Sequence, residues 1–257
     1  MSIKFTILGC GSSMGVPRAD GYWGNCDSKN KKNYRTRCSA LLSSKGMTIL
    51  FDTSPDLRSQ LIREKTRCID KIFYSHPHAD QTHGINDLRI FYLKQKKKID
   101  VYTNFFTKKY LKKNFSYCFN DKDNYPAILK FKKLNKTNTF INEGKKITIR
   151  SIEVKHGLIN CLAFIINKRC AYASDVNNIH KNDYKYFYNL KYFIVDCLKF
   201  SPHPSHFHLD QVLKLVQKIN PKKTILTNLH SDLDYNYLLK ILPKNVKPAY
   251  DGLSFYI

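Results

Sequence analysis

The chain has 257 residues, of which 42% are hydrophobic and 13% aromatic, and this composition predicts a globular protein with a substantial core. We expect no membrane association, because no run approaches the ~18 apolar residues of a spanning helix and the first residues lack the apolar region of a signal peptide. The simplest compartment is therefore the cytoplasm, whose reducing conditions would keep the eight cysteines unpaired.

Positive charge is in large excess: 44 Lys and Arg stand against 20 Asp and Glu, for a formal net charge of +24. Such an excess is typical of nucleic-acid-binding proteins, because neutralised phosphates release counterions. The lysines are nevertheless spread along the chain in runs such as 94–98 and 108–113, which a biased genome composition would also produce. We favour the compositional explanation. The positive field would attract an anionic substrate of any size.

The first strand with a candidate functional end covers residues 48–52, an apolar run that ends in Asp52. A helix over 55–65 is expected to follow, with Ser54 placed to cap it before Pro55. Strand ends are rigid platforms, so a polar residue just past one can be held in fixed geometry while it stays open to solvent.

The most informative segment follows the next predicted strand, residues 69–74. His76, His78 and Asp80 occupy alternate positions directly after this apolar run. Imidazole nitrogen and carboxylate oxygen are ligands that suit Zn, Mn or Fe. The spacing therefore predicts a metal site at the strand end, and a helix over 84–94 is predicted after it.

Three further candidate ligands lie far downstream, each at the end of a predicted strand. They are His156, Asp175 and His230, which follow the apolar segments 147–155, 170–174 and 224–229. A lone histidine or aspartate in such a place is usually a structural polar group. Together with the first cluster, the three make a metal centre the stronger interpretation.

An amphipathic helix is predicted over 209–219, where apolar residues recur at helical spacing before Pro221. The segment directly before it holds three imidazoles, those of His203, His206 and His208. Histidine is the side chain best suited to donate or accept a proton near neutral pH, so this segment is a candidate source of a general acid.

Short strands that alternate with helices, without a repeat, a linker or a composition boundary, predict an α/β fold with one domain over 1–257. The motif His76-Pro-His78-Ala-Asp80-Gln81, with the segments 8–17, 35–39, 84–89, 228–235 and 248–253, resembles the metallo-β-lactamase-fold hydrolases. More narrowly, the chain resembles the PhnP-type cyclic-phosphate phosphodiesterases. The resemblance implies a four-layer αββα sandwich, in which two β-sheets pack face to face with helices outside.

The resemblance also implies two adjacent divalent metal ions, either Mn or Zn. By matching position, His76, His78 and His156 would bind the first ion, Asp80 and His230 the second, and Asp175 would bridge the two. Two ions about 3.5–4 Å apart can share a hydroxide and direct it at phosphorus, so Asp80, as a metal ligand, is expected to be essential for catalysis.

Gln81 departs from the pattern, because the wider superfamily usually has His at this position. A carboxamide oxygen is a neutral and weaker metal donor that suits oxygen-preferring ions, so Mn²⁺ gains on Zn²⁺ at the second position. We therefore expect the second ion to be weakly held, exchangeable or absent. In the alternative interpretation, Gln81 hydrogen-bonds a ligand of the metal.

The leaving alkoxide of a phosphate ester needs a proton, which a general acid supplies. In the resembling family this acid is a histidine that maps to His206, and His206 is our candidate. His203 is expected to be structural, and His208 to lie near the helix start. An aspartate at the position of Asp52 typically supports the metal-binding histidines in the family.

The partner implied by the resemblance is a small anionic phosphate ester, in particular a phosphorylated ribose cyclic phosphate. Arg35, Arg37, Arg89 and His208 are candidate substrate-binding residues, since planar guanidinium groups bind phosphates well. Each arginine is alternatively a surface ion-pair residue.

Two other functions stay open. One is an RNA-processing endonuclease of the tRNase Z kind, although residues 114–138 are rich in Lys and Tyr and do not match the Gly- and Pro-rich arm of that family. The other is a metal-binding protein whose catalysis has lapsed at Gln81. The sequence leaves the oligomeric state open, a homodimer included.

Overall fold

The computed structural model describes residues 3–122 and 124–257, which form two β-sheets of seven strands each. In order across the first sheet, the strands are β14 (Ser254–Tyr256), β1 (Lys4–Gly9), β2 (Ser39–Ser44), β3 (Met47–Phe51), β4 (Lys71–Phe73), β5 (Ile99–Tyr102) and β6 (Leu129–Phe131). Across the second sheet they are β13 (Val246–Pro248), β12 (Lys223–Thr227), β11 (Tyr192–Asp196), β10 (Cys170–Ala173), β9 (Ile159–Ile166), β8 (Lys145–His156) and β7 (Thr137–Asn142).

The helices are short, and most of them connect strands. They are α1 (Leu57–Arg63), α2 (Ala79–Thr82), α3 (Arg89–Gln95), α4 (Phe105–Asn114), α5 (Ser116–Phe119), α6 (Leu209–Ile219) and α7 (Tyr235–Ile241). Three 3₁₀ turns cover Lys31–Asn33, Ile85–Leu88 and Lys181–Tyr186. Across the described parts of the chain, none of these helices has the length and apolar character that crossing a bilayer requires.

Each sheet combines an antiparallel half with a parallel half. Strands β3, β4, β5 and β6 pair in parallel in the first sheet, and β10, β11, β12 and β13 do so in the second. The carboxyl ends of parallel strands lie at one edge of a sheet, where loops and helix starts can gather polar residues. Both sheets therefore offer an edge at which residues far apart in sequence can meet.

Aromatic side chains fill the space between the sheets. Phe51 of β3 lies 5.2 Å from Phe164 of β9, between ring centroids, and Phe5 of β1 lies 5.9 Å from Tyr172 of β10. All four residues are at most 1% exposed. Tilted aromatic pairs of this kind stabilise a core beyond the area that they bury, so this layer fixes how the sheets face each other.

The outer face of each sheet is covered by helices, as the resemblance predicted. Leu57 and Leu61 of α1 pack with Leu50 and Ile72 of the first sheet. On the second sheet, the α6 residues Leu209, Val212, Val216 and Ile219 pack with Phe193, Val195 and Leu226. The order helix, sheet, sheet, helix confirms the predicted α/β class and the αββα sandwich, and α6 has the bounds predicted for it.

The helix predicted over 55–65 is shorter than expected. It covers Leu57–Arg63, because the backbone N–H of Asp56 donates to the Ser54 hydroxyl at 3.2 Å and makes a turn before the first helical residue. Ser54, which was predicted to cap the helix, therefore forms a turn in front of it instead.

The helix predicted over 84–94 is also different, since a 3₁₀ turn, Ile85–Leu88, precedes α3. The cause lies at Gly84, whose N–H donates to the Thr53 carbonyl at 3.0 Å. A Cβ atom on Gly84 would lie 2.0 Å from the Ser54 carbonyl oxygen. The backbones of the two loops are thus in direct contact, and this contact fixes the chain just after the metal motif.

We expect Gly84→Ala to lower the free energy of unfolding by about 3 kcal/mol, because backbone atoms must move to admit the methyl group. Urea denaturation followed by circular dichroism measures this. Ser59→Ala, at an exposed position of α1, is the control and should change stability by less than about 0.5 kcal/mol. Equal stability of the two variants would contradict the close backbone contact.

Candidate metal centre

Asp52 fixes the backbone just before His76. Asp52 directly follows β3, is 0% exposed and has a left-handed backbone with φ of 59°. Its carboxylate accepts the Ser75 N–H at 2.7 Å and the Ser75 hydroxyl at 2.9 Å, and burial raises the pKa of Asp52 well above its usual value. A strained residue that fixes the backbone before a candidate ligand is typical of a functional site.

The same chain of hydrogen bonds sets the tautomer of His76. The Ser75 hydroxyl donates to Asp52 and lies 3.0 Å from His76 Nδ1, so Nδ1 is assigned the hydrogen and donates to it. His76 Nε2 then carries a free lone pair. Asp52 thus acts on the imidazole through Ser75, without touching it.

His156 is oriented in an equivalent way from the second sheet. Its Nδ1 donates to the Ser205 carbonyl at 2.7 Å, which leaves the Nε2 lone pair free. His156 is the last residue of β8, and the Ser205 carbonyl belongs to the loop before α6. One backbone carbonyl therefore joins the two loops and points His156 at the first sheet.

The three predicted ligands of the first ion meet at one point. His78 Nδ1 lies 3.0 Å from His76 Nε2 and 3.3 Å from His156 Nε2. Burial lowers the pKa of all three imidazoles, that of His76 to about 3, so the rings are neutral. Three neutral imidazoles with converging nitrogens match the ligand set of a divalent metal, and these residues fit such an ion.

Asp175, the residue predicted to bridge two ions, lies at the end of β10 and is 2% exposed. Burial opposes its ionisation. In the acidic range where this carboxyl titrates, positive charge on the facing imidazoles of His76, His206 and His156 outweighs burial and lowers the pKa of Asp175 below its usual value. Its carboxylate, with ligand atoms of His156 and His206, forms a second group of potential metal ligands within 4.8 Å of one another.

Asp80 and His230, the predicted ligands of the second ion, line the same cavity of about 450 Å³. Neither belongs to the two groups of converging ligand atoms found among the described residues. Burial and the Asp175 carboxylate raise the pKa of Asp80 to about 6. His230 Nδ1 lies 3.2 Å from an oxygen of Asp232. The structure thus assembles the first predicted ligand set more closely than the second.

His206, the predicted acid, lines this cavity and contacts a carboxylate that the sequence analysis missed. His206 Nδ1 lies 2.6 Å from Asp196 Oδ2, and Asp196 is 0% exposed at the end of β11. The Val176 N–H also donates to Asp196 Oδ2, at 2.9 Å, which favours the charged carboxylate. Asp196 ends an apolar strand, as Asp52 does, so the pattern that identified Asp52 would have identified it too.

The proton between these two residues belongs to His206. Burial lowers the pKa of His206, but the charge of Asp196 and the hydrogen bond to it outweigh burial and raise that pKa to about 9. Burial raises the pKa of Asp196 to about 7 against the opposing effect of His206. Because the imidazole keeps its proton over most of the neutral range, it is suited to donate one.

The other two histidines of this segment differ in position. His203 lines the cavity, and its Nδ1 accepts the Ser205 N–H at 3.3 Å, which orders the turn that carries the His156 contact. His208 is the residue before α6, as predicted, and its N–H donates to Gln211 at 3.3 Å. His208 is not among the residues that line the metal-centre cavity.

The prediction that Arg35 binds substrate is wrong. Arg35 is 1% exposed, and its guanidinium donates to the carbonyls of Leu233 at 2.7 Å and His230 at 3.3 Å, and to Asn33 Oδ1 at 3.0 Å. These partners occupy both terminal nitrogens of the guanidinium from within the protein. Arg35 is a structural residue that fixes the loop carrying His230.

Arg37 and Arg89 are also placed away from the cavity. Arg37 Nε pairs with Asp56 at 2.7 Å, the ion-pair alternative that the sequence left open. Arg89 lies over the ring of Tyr125 at 5.8 Å and lines a separate apolar cavity beside α1 and α3. Neither arginine is among the residues that line the cavity with Asp80 and His230, and their role in substrate binding stays a prediction.

We expect Arg35→Lys to lower the free energy of unfolding by about 2 kcal/mol, because the single nitrogen of lysine cannot occupy the positions of both terminal guanidinium nitrogens. Thermal denaturation measures the effect. Arg67→Lys, the same change at an exposed position, is the control, with an expected effect below about 0.5 kcal/mol. An Arg35→Lys variant as stable as the wild type would contradict the structural role of Arg35.

A four-layer sandwich with three converging imidazoles at its strand ends, two of them buried, defines a class of metal-dependent hydrolases. The chain belongs to the β-lactamase superfamily: the family model described as "Beta-lactamase superfamily domain" matches residues 47–228. The resemblance to PhnP-like metallo-β-lactamase-fold hydrolases, inferred from the sequence, is confirmed by this match and by structural likeness.

Three known proteins show what this chain is similar to. A crystal structure described as a new diphosphatase from the PhnP family is 28% identical, with a TM-score of 0.88 over 100% of this chain and 98% of that one. Human tRNase Z, short form, has a TM-score of 0.69 and 15% identity over 98% of both chains, a likeness in fold alone.

The third is a protein of Porphyromonas gingivalis (strain ATCC BAA-308 / W83) named octanoyltransferase, 27% identical over 261 residues. The match covers 99% of this chain and 52% of that protein, so the chain spans about half the length of this curated relative.

Proposed function

We propose that the protein is a metal-dependent phosphodiesterase that hydrolyses a small phosphate diester, in particular a (phospho)ribose cyclic phosphate. The observation that carries the proposal is one cavity that joins a neutral three-imidazole set to a protonated imidazole, His206, held by Asp196. The first suits a divalent ion, and the second suits a proton donor. The likeness to a PhnP-family diphosphatase supports chemistry at phosphorus.

The roles of the residues follow from their positions. His76, His78 and His156 would hold the ion, with Asp175 beside them. A divalent ion bound there supplies Lewis-acid activation of water and neutralises charge on phosphoryl oxygens. The protein contributes fixed orientation, because Ser75 and the Ser205 carbonyl hold two of the imidazoles in the required tautomer.

His206 would protonate the leaving alkoxide of the ester. Asp196 accepts the hydrogen bond of His206 Nδ1–H, so the proton available to the alkoxide is the one on Nε2, at the opposite edge of the ring. The ring of His206 lies 4.5 Å from that of His156, between centroids, so donor and metal ligand face the same substrate. Asp196 is a positioning residue in this scheme, since it acts through His206.

The size of the cavity favours a small substrate over RNA. Its volume of about 450 Å³ is in the range of small-molecule sites, and it is lined by Ser12, Ser13 and Lys199 besides the imidazoles. The acyl transfer in the name of the Porphyromonas gingivalis relative is assigned to no residue of this chain, because half of that protein lies outside the match.

We expect metal-dependent turnover of bis-p-nitrophenyl phosphate and of a ribose cyclic phosphate after addition of Mn²⁺ or Zn²⁺, and its loss after chelation. His76→Ala should lower metal affinity and turnover by more than about 100-fold, since it removes a ligand. His180→Ala, at an exposed histidine that does not line the cavity, is the control. Metal content is measured by plasma mass spectrometry.

The result also separates the alternative functions. Bound metal without turnover of either ester would contradict the small-ester proposal, and cleavage of precursor tRNA would then be tested. Active protein that retains no metal after chelation would contradict the metal-dependent mechanism itself.

The role of His206 predicts a dependence on the leaving group. We expect His206→Ala to slow hydrolysis of an alkyl ester by about 10²–10⁴-fold and of a p-nitrophenyl ester far less, since nitrophenolate leaves without a proton. Asp196→Asn should show the same pattern with a smaller effect, and His180→Ala should show neither. Equal losses on both esters would remove His206 from the role of acid.

A further inference from the structure

Gln81 lies where the two halves of the metal centre meet. It is the third residue of α2 and is 0% exposed. Its side-chain Nε2 donates to Asp80 Oδ2 at 3.1 Å and to Asp175 Oδ2 at 3.2 Å. A primary amide has two N–H donors, and here each one is directed at a different carboxylate. The amide therefore ties together the two acidic residues that the resemblance gave to a second ion.

The orientation of this amide follows from the charges around it. The opposite rotamer would place Gln81 Oε1 about 3 Å from two carboxylate oxygens, an arrangement that like partial charges oppose. In the observed orientation, Oε1 is buried and has no hydrogen-bond partner among the described residues. The protein thus leaves one buried acceptor unsatisfied and in return satisfies two buried carboxylates with one amide.

Asp175 is engaged on its other oxygen as well. Asn228 Nδ2 donates to Asp175 Oδ1 at 3.2 Å, so one amide contacts each carboxylate oxygen. Asn228 is 1% exposed and has a left-handed backbone with φ of 60°. His230, the remaining predicted ligand, has its Nδ1 3.2 Å from Asp232. The two carboxylates assigned to a second ion are thus both engaged by side-chain amides of the protein, whereas His230 keeps its Nε2 free of partners among the described residues.

The contrast with the first ligand set is direct. The nitrogens of His76, His78 and His156 contact one another directly, with no other side chain between them in these contacts. Between Asp80 and Asp175, by contrast, stands the side-chain amide of Gln81. A cation bound between those carboxylates would have to displace the amide or reverse it. Compared with a cation, the amide carries only partial positive charge. Unlike a cation, however, it does not have to lose a hydration shell to bind, and burial fixes it in place.

We propose that the Gln81 carboxamide takes the place of a second cation, so that the chain loads a single divalent ion at its three-histidine set. The amide holds Asp80 and Asp175 together and withholds both from a second ion. This inference concerns the metal centre and does not rest on the phosphodiesterase reaction.

The test is the number of ions that each chain retains. Wild-type protein, Gln81→His and Gln81→Glu are loaded with Mn²⁺ or Zn²⁺, dialysed, and analysed by plasma mass spectrometry and calorimetric titration. We expect wild type to retain a single ion and both variants to gain a second, since each replaces the amide with a metal ligand. Gln217→His, the same change at an exposed position of α6, controls for adventitious binding by an added imidazole.

A spectroscopic measurement on the wild type keeps the test independent of the variants' folding. Wild-type protein titrated with Mn²⁺ should give the electron paramagnetic resonance spectrum of isolated ions, without exchange coupling. A coupled spectrum, or two ions bound with affinities within about tenfold of each other, would overturn the proposal. So would a folded Gln81→His variant that still retains a single ion. Loss of phosphodiesterase turnover would leave these readouts unchanged, so the two proposals fail separately.

Discussion

Parallel strand pairing at the centre of each sheet is the constraint on which the metal centre depends. Because β3 and β4 run side by side, Asp52 and Ser75 emerge at neighbouring strand ends and bond to each other. In the second sheet, β10, β11 and β12 deliver Asp175, Asp196 and His230 to one edge in the same way. The aromatic layer between the sheets brings the two edges together, and helices at the outer faces leave those edges open.

This arrangement provides hydrogen-bond partners for the buried polar side chains of the site. Buried imidazoles and carboxylates are costly unless their hydrogen bonds are completed, and nearly every one at this site has an assigned partner on an adjacent strand end or loop. Ser75 and the Ser205 carbonyl fix hydrogens on the far side of His76 and His156, which directs lone pairs into the cavity. The electrostatics of the site is thus decided by backbone geometry outside it, and a change in those loops would act on the metal ligands indirectly.

The sequence predicted the parts of the site that follow a local rule. A polar residue directly after an apolar run lies at a strand end, and this rule located Asp52, His76, His156, Asp175 and His230. It would have located Asp196 as well, had the run 192–196 been weighed. The sequence could not predict the environment of the arginines, because contacts distant in sequence determine it. Arg35, for example, donates to the Leu233 carbonyl, 198 positions away. No local pattern distinguishes a buried arginine from one that is free to bind phosphate.

The role of Gln81 likewise depends on contacts that no local sequence pattern predicts. Its identity was informative from the sequence, since a carboxamide is a poor metal ligand, but two interpretations stayed open there. Only the three-dimensional placement reveals that its donors face Asp80 and Asp175, 94 positions apart in the case of Asp175. If the amide takes the place of a second ion, as we propose, the positive charge at the reacting centre would come from one ion at the three histidines and from the His206 imidazolium. The formal net charge of +24 can draw an anion towards the protein. In the proposed function, selection among anions would depend on this small cavity. Its two carboxylates would oppose highly charged groups, and the His206 imidazolium would favour the ester oxygen that leaves.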